Sequence, residues 1–256
     1  MAVKTYHIGI DLHGTLINNN EFLSEGSSDA LIRVIKEKPS DIKLYLCTGN
    51  DLPFVKRKMG GIADLFDGAI LETGCVVSTD MNKEEIIVTQ NIVSLIKNLE
   101  NTLLDCDYPE VYKFARRLAT ISMFTKYEYP LEGFFQKMKD DLQHLDYARV
   151  TRSSVAVDII PIKHDKYRGL EYFGKSTDVY IAVADSLNDI EMLKKADISF
   201  MPANADPATV ELLGKTKQKK PLGSQFDQKS LYISSKPVTF GVIEILENIY
   251  KNYTSF

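Results

Sequence analysis

Polar residues that could bind an anion or a metal ion follow strand-like runs at several places in this sequence. The first is Asp11, which comes directly after the apolar run Tyr6–Ile10 and begins the segment DLHGTL. A carboxylate at a strand end, followed by a turn that contains glycine, can point out of a sheet towards a substrate. The alternative is a simple turn, because an aspartate three residues before a glycine is common in loops.

The second place is Thr48-Gly49-Asn50, which follows the strand-like run Leu44–Cys47. A hydroxyl and backbone N–H groups at a strand-to-helix turn suit an anion, because the start of a helix presents unpaired N–H groups and a partial positive charge. The alternative is an ordinary helix cap formed by Thr48 or Asn50.

The third and fourth places are Lys166, near a predicted helix start, and the pair Asp185 and Asp189. A lysine near a helix start opposes the helix dipole and therefore favours an anionic neighbour, although a solvated lysine is the common alternative. Asp185 and Asp189 lie one helical turn apart and so point to the same side. Such oxygen ligands suit Mg²⁺ with water and phosphate oxygens, but acidic residues are also common at helix starts.

The elements that must position these residues alternate between strands and helices in the first and last thirds of the chain. Short apolar runs between helices are typical of βαβ units and of a parallel sheet covered on both faces. In such sheets, ligands bind beyond the carboxyl ends of the strands. Lys215–Lys229, rich in Lys and Gln, is predicted to be a surface loop. The predicted strands are Tyr6–Ile10, Leu44–Cys47, Ala69–Leu71, Val179–Ala184, Ile198–Met201 and Leu231–Ile233, and the predicted helices are Leu52–Met59, Asn188–Lys195, Pro207–Leu213 and Val238–Tyr253.

The middle third has a different pattern. Strand-like runs at Leu118–Phe124 and Val155–Ile160 accompany helical patterns at Ile92–Leu103 and Leu131–Leu142. This is typical of a self-contained α+β unit, which we interpret as an insertion. The predicted organisation is a core formed by residues 1–81 and 161–256, with an inserted domain at residues 82–160.

Composition excludes several classes of protein. The chain has 256 residues, of which 26% are charged, and a formal net charge of -4. This gives no overall reason to expect a nucleic-acid partner or an anionic membrane. No apolar run approaches the roughly 20 residues that span a bilayer. Cys47, Cys75 and Cys106 have no metal-binding spacing and no signal-peptide pattern is evident, so we expect free thiols and a cytoplasmic protein.

The order and spacing of the four polar places resemble the four motifs of the haloacid dehalogenase-like superfamily of phosphohydrolases. The resemblance covers nearly the whole chain, and Asp185–Met192 is its most specific part. The position of the insertion is similar to that of the α/β cap in the Cof-type and sucrose-phosphatase-like branch. Glu72–Gly74 resembles the Asn-Gly turn before that cap, with threonine in place of asparagine. The resemblance implies a Rossmann-like doubly wound parallel sheet core that carries a smaller inserted α+β cap.

The resemblance also implies a reaction. Asp11 would be the nucleophile that attacks phosphorus, forming an acyl-phosphate that water then hydrolyses. The substrate would be a small phosphorylated metabolite, such as a sugar phosphate or phosphoglycolate, and the protein would be a monomer or a homodimer. The residues implied to bind the substrate are Thr48, Gly49, Asn50, Lys166 and Asn188.

A Mg²⁺ cofactor follows from the same resemblance. Asp11 and Asp185 would bind the ion directly, and Asp189 would steady its water ligands or Lys166. His13 would contribute its backbone carbonyl. A cation is required on physical grounds, because two carboxylates cannot otherwise approach a phosphate dianion.

His13 departs from the family pattern, which has a second aspartate at this position as a general acid and base. An imidazole can do this work, but it becomes positively charged when protonated, which a nearby Mg²⁺ disfavours. We therefore expect phosphate ester hydrolysis with a shifted pH profile. Slow turnover, transfer to an acceptor other than water and a binding-only protein are the alternatives.

Other charged segments are interpreted as structural. Arg116 and Arg117 lie in the predicted cap and are interpreted as solvated charges, although they could contact an anionic substrate. Asn18–Asn20 is interpreted as a turn. The run Lys217–Lys220 is too short for a nucleic-acid surface, because affinity grows with the number of phosphates neutralised.

Overall fold

The computed structural model describes residues 4–153 and 155–253, which form two sheets and their helices. The described strands are β1 (Tyr6–Asp11), β2 (Ile42–Cys47), β3 (Gly68–Leu71), β4 (Val76–Ser78), β5 (Glu85–Ile86), β6 (Val111–Phe114), β7 (Ile121–Thr125), β8 (Ala148–Arg152), β9 (Ala156–Pro161), β10 (Val179–Val183), β11 (Ile198–Met201), β12 (Gln218–Pro221) and β13 (Ser230–Ile233). The described α-helices are α1 (Ser28–Lys36), α2 (Leu52–Met59), α3 (Gln90–Leu104), α4 (Leu131–Leu142), α5 (Lys166–Glu171), α6 (Ile190–Lys195), α7 (Pro207–Gly214) and α8 (Val238–Asn252).

Within the described residues, nine strands form the large sheet in the order β12-β13-β11-β10-β1-β2-β3-β4-β5. The pairs from β12 to β3 are parallel, and β4 and β5 are added antiparallel at one edge. The chain runs outward from β1 in both directions, so β1 lies at the topological switch point where such sheets bind ligands.

Helices cover both faces of the large sheet, as the doubly wound class requires. On one face, α1, α2 and α8 bury apolar residues such as Leu31, Val55 and Leu246 against β1 and its neighbours. On the other face, α5, α6 and α7 bury Leu170 and Leu213 in a second cluster. The predicted fold class is confirmed.

The small sheet lies in the inserted part of the chain and is antiparallel, with strand order β6-β7-β9-β8. Helices α3 and α4 bury Ile96 and Phe134 against Met123 and Val157 in a separate apolar cluster. We refer to residues 90–161 as the small-sheet unit. Strand β5 (Glu85–Ile86) lies within the range predicted for the inserted domain but pairs with β4 of the large sheet.

The prediction of a loop at Lys215–Lys229 is wrong in part, because this segment contains β12, which pairs in parallel with β13. Strand β12 is at the edge of the sheet and most of its side chains are exposed, so its sequence shows no apolar alternation. Lys217, just before it, is buried and donates a hydrogen bond of 2.5 Å from Nζ to the Ala196 carbonyl. In the part of the chain that the structure describes, no helix combines the length and apolar character needed to cross a bilayer.

Candidate active site

Asp11 is the last residue of β1, the strand at the switch point of the large sheet. In the parallel register it is the partner of Cys47 at the end of β2, so Thr48 follows directly beside it. Asp11 and Thr48 are both buried. Their proximity results from parallel pairing, because strands that run in the same direction end at the same edge of a sheet.

Asp185 lies beyond the end of β10, the neighbour of β1 on the other side. The Thr15 hydroxyl donates a hydrogen bond of 3.0 Å to Asp185 Oδ1. Gly14 has a φ of +78°, and a Cβ atom added there would lie 2.3 Å from Asp185 Oδ2. The turn after Asp11 therefore requires glycine for its backbone conformation and for the close approach of Asp185.

Lys166 is the first residue of α5, and the preceding Asp165 caps this helix by accepting a hydrogen bond from the Arg168 N–H. The Lys166 side chain is buried, and its Nζ lies 2.5 Å from Asp11 Oδ1 and 2.5 Å from Asp189 Oδ1. Both contacts are buried. The anionic neighbour predicted for Lys166 is thus present as two carboxylates.

Three carboxylates surround this one ammonium group. Asp11, Asp185 and Asp189 each offer an oxygen atom, and these three atoms lie within 4.8 Å of one another. Asp189 Oδ2 is buried and has no hydrogen-bond partner among the residues that the structure describes. Negative charge is therefore in excess at a site that is largely shielded from water, which favours the binding of a cation.

The pKa values reflect this crowding. Burial, with the neighbouring Asp11 charge, raises the pKa of Asp185 to about 6. The same two causes raise the pKa of Asp189, and the Lys166 ammonium opposes that shift. Burial lowers the pKa of Lys166, but the Asp11 and Asp189 carboxylates outweigh burial and raise it above its usual range. The lysine stays charged, whereas Asp185 and Asp189 resist full ionisation without a cation.

His13 lies on the turn after Asp11, with its side chain half-buried. Its Nε2 is 3.6 Å from Glu21 Oε1, and its ring lies 5.3 Å from the Phe54 ring. Burial lowers the pKa of His13, while the Asp11 and Glu21 carboxylates oppose this shift. The imidazole is thus mainly neutral near pH 7, and Glu21 is in turn paired with Lys58.

The other predicted site residues lie on the same edge. The Thr48 Oγ1 accepts hydrogen bonds from the Asn50 backbone N–H at 3.1 Å and from Asn50 Nδ2 at 3.4 Å. Gly49 between them is exposed. Asn188 is exposed in the short 3-10 helix Leu187–Asp189.

Sequence patterns assign no role to several residues that support this site. Thr15 belongs to the first motif, but its bond to Asp185 depends on tertiary contact. Asn204 donates a hydrogen bond of 2.8 Å from Nδ2 to the Gly14 carbonyl and so supports the turn after β1.

Glu72 and Arg117 are charged residues that the fold buries. Glu72 is fully buried, and Arg117 is 8% exposed. The interpretation of Arg117 as a solvated charge is wrong, because Asn50 and Ser122 bind its guanidinium group.

The model of one protein family, described as haloacid dehalogenase-like hydrolase, matches residues 8–108 and 107–218. The chain belongs to this family. The predicted family is therefore confirmed, and the relatives described next confirm the predicted enzyme class, a phosphatase of the haloacid dehalogenase-like type.

Curated relatives of this haloacid dehalogenase-like hydrolase include two archaeal phosphoglycolate phosphatases. The protein from Archaeoglobus fulgidus is 28% identical over 215 residues, which cover 79% of this chain and 86% of the relative. The protein from Staphylothermus marinus is 26% identical over 259 residues, which cover 93% of this chain and 95% of the relative.

Solved structures share the fold over nearly the whole length. The sucrose-phosphatase from Synechocystis, in complex with sucrose and phosphate, has a TM-score of 0.67 and 15% identity, and covers 96% of this chain and 98% of its own. A haloacid dehalogenase-like hydrolase from Bacteroides thetaiotaomicron has a TM-score of 0.63 and 16% identity, and covers 97% of this chain and 100% of its own.

Proposed function

We propose that this haloacid dehalogenase-like hydrolase is a Mg²⁺-dependent phosphatase that acts through a phospho-aspartate on Asp11. The observation that carries the proposal is the buried cluster in which Lys166 bridges Asp11 and Asp189, with Asp185 beside them. Phosphoryl transfer requires alignment and neutralisation of charge more than covalent chemistry. A carboxylate that is held between an ammonium group and further carboxylates meets these requirements once a cation is present.

The residues at the site fit a Mg²⁺ ion. The carboxylates outnumber the ammonium group, and within the described ranges 4–153 and 155–253 the buried Asp189 Oδ2 has no hydrogen-bond partner. Asp11 and Asp185, with the His13 backbone carbonyl, would hold the ion, and Asp189 would steady its water ligands. When bound, Mg²⁺ supplies the positive charge that lets a carboxylate approach a phosphate dianion.

In the proposed reaction, an Asp11 carboxylate oxygen attacks phosphorus, and the bond between phosphorus and the ester oxygen breaks. His13 donates a proton to the leaving oxygen. A water molecule then attacks the phosphorus and gives its proton to His13. The bond from phosphorus to Asp11 breaks, inorganic phosphate leaves and the carboxylate is restored.

The remaining residues hold the substrate. Lys166 and the Thr48 hydroxyl would bind oxygens of the phosphate that do not react, and Asn188 would contact the exposed side of the phosphate.

We further propose that residues 82–160 act as a cap that excludes water and selects the substrate. Because two relatives are named phosphoglycolate phosphatases, the proposed substrate is a small phosphorylated metabolite, and phosphoglycolate is the first to test. The proposal includes a cytoplasmic location.

Metal removal tests this proposal directly. In a panel of phosphate esters that includes phosphoglycolate and sugar phosphates, we expect phosphate release with Mg²⁺ and a loss of at least about 100-fold after treatment with EDTA. Excess Mg²⁺ should restore the rate, and Ca²⁺ should not, because Ca²⁺ takes more ligands at longer distances. Full activity in EDTA would contradict the metal-dependent reaction.

The pH dependence tests the role of His13. Because the pKa of His13 is lowered, its protonated form is scarce near pH 7 and increases as the pH falls through and below its ordinary value of about 6.5. An alkyl phosphate needs a proton on the leaving oxygen, whereas p-nitrophenyl phosphate releases p-nitrophenolate, a stable anion that leaves without a proton. We therefore expect the ratio of alkyl to p-nitrophenyl rates to rise as the pH falls from about 8 to about 6.

The His13→Asp variant is the comparison for this pH series. Its carboxyl group titrates well below the imidazole, so the pH dependence of the ratio should differ from that of the wild type. If the variant and the wild type show the same ratio at every pH, His13 does not transfer the proton.

A further inference from the structure

The Thr48 hydroxyl is held in one orientation by Asn50. Its oxygen accepts two hydrogen bonds, from the backbone N–H and from the side-chain Nδ2 of Asn50. A hydroxyl oxygen has two acceptor positions and one proton. Since both acceptor positions are used, the proton of this buried hydroxyl must point away from Asn50, where it can be donated to an anion.

Arg117 decides which way the Asn50 amide faces. Its Nη2 donates a hydrogen bond of 3.1 Å to Asn50 Oδ1. An amide presents an acceptor at one end and donors at the other. With its oxygen bound to Arg117, Asn50 presents Nδ2 to Thr48. If the amide were reversed, its oxygen would face Thr48 and would accept the hydroxyl proton instead.

The Arg117 guanidinium group is itself held by the small-sheet unit. Its Nε donates to Ser122 Oγ at 3.2 Å, and its Nη1 donates to the Arg116 carbonyl at 3.0 Å. Ser122 in turn donates to Asp158 Oδ1 at 2.5 Å. Nε, Nη1 and Nη2 of the guanidinium group thus each donate a hydrogen bond. Of these three nitrogen atoms, Nη2 is the one that contacts the large-sheet part of the chain.

Residues 118–120, next to Arg117, are anchored to the core by the buried Glu72 carboxylate. The backbone N–H groups of Leu118, Ala119 and Thr120 donate to it at 2.6, 2.9 and 3.1 Å. Burial raises the pKa of Glu72, while the Leu118 and Ala119 N–H groups, the Thr120 hydroxyl and nearby Arg117 oppose the shift. The segment that follows Arg117 is thus held against the core, and the guanidinium group reaches Asn50 from this position.

We propose that Arg117 is a positioning residue that acts through Asn50 to direct the Thr48 hydroxyl towards the phosphate. This inference rests on the proposed function, because it requires Thr48 to bind a phosphate oxygen. Arg117 does not touch the phosphate. It links the packing of the small-sheet unit against the core to the orientation of the Thr48 hydroxyl in the phosphate-binding turn.

A double-mutant cycle distinguishes this relay from direct contact. The variants are Asn50→Ala, Arg117→Met and the combination, and the readouts are the Kd of inorganic phosphate with Mg²⁺, by calorimetry, and the KM and kcat for p-nitrophenyl phosphate. Each single variant should raise the phosphate Kd and the KM about tenfold, with little change in kcat. The double variant should be no worse than either single variant, because both remove the same bond.

The neighbouring Arg116→Met is the matched control. Arg116 is exposed, and its ion pairs are with Asp51 and Glu84 at 3.8 and 3.6 Å, not with Asn50. The KM and the phosphate Kd of the Arg116→Met variant should stay within about twofold of the wild type.

If Arg117→Met does not fold, Arg117→Lys replaces it in the cycle. Lysine keeps the charge, but its single nitrogen cannot bind Ser122 and Asn50 together.

Two results would overturn the relay. One is an unchanged phosphate Kd in both Arg117 variants, and the other is a double variant whose loss equals the product of the single losses. Thr48→Val separates the relay from the proposed function. If this variant binds phosphate like the wild type, the role proposed for Thr48 is wrong and the relay fails with it. If it binds weakly and the Arg117 variants do not, only the relay is wrong.

Discussion

The Asp11→Asn variant should lose phosphatase activity by at least about 10⁴-fold, since an amide oxygen cannot replace the nucleophilic carboxylate. In the wild type, acid quenching during turnover of a ³²P-labelled ester should trap label on the protein. The variant should trap none. Phosphate release by the variant within about tenfold of the wild type would contradict a covalent intermediate on Asp11.

The stability of Asp11→Asn provides the control for folding. The Asp11 charge contributes to the raised pKa values of Asp185 and Asp189, so its removal relieves repulsion in a crowded site. We expect the variant, without Mg²⁺, to be about as stable as the wild type or more stable in urea unfolding. An inactive variant that is also unfolded would not support the catalytic role of Asp11. The urea-unfolding comparison with the wild type detects that case.

The Lys166→Met variant should lower kcat/KM by about 10³-fold. It removes the ammonium group that bridges Asp11 and Asp189, so the two carboxylates face each other without their common cation. Without this ammonium group the pKa of Asp189 should rise further, and Asp11 loses the positive charge that lies beside it. Steady-state kinetics of p-nitrophenyl phosphate at saturating Mg²⁺ measures the effect.

Lys163→Met is the matched control for this substitution. Lys163 is exposed three residues before Lys166, so its replacement should change kcat/KM by less than about twofold. In the absence of Mg²⁺, Lys166→Met should also unfold at lower urea concentration than Lys163→Met, because the buried carboxylates lose their partner. Equal kcat/KM in the two variants would contradict the role of Lys166.

Many helices and strands of both sheets were predictable from the sequence, because they bury apolar residues at regular spacing. Helix Leu52–Met59, helix Leu131–Leu142 and strand Ile198–Met201 have the predicted bounds. Strand β12 was not predictable, since an edge strand with exposed polar side chains has no apolar pattern.

The junction between the two sheets was also beyond sequence reasoning. Glu72 and Arg117 are charged residues in ordinary surroundings along the chain, and such residues are usually solvated. Burial becomes possible only because the folded chain supplies partners: three backbone N–H groups for Glu72, and Asn50 and Ser122 for Arg117. The partners of Glu72 lie 46 to 48 residues away in the chain, and Asn50 lies 67 residues from Arg117.

The sequence by itself determined the alternating α/β architecture and the motifs at the ends of strands, because local apolar spacing and residue type are sufficient for both. Only the tertiary structure decided that Lys166 lies between Asp11 and Asp189, and that Arg117 reaches Asn50. The physical reason is distance along the chain. Groups separated by tens to more than a hundred residues come into contact only after parallel pairing and burial have positioned the elements that carry them.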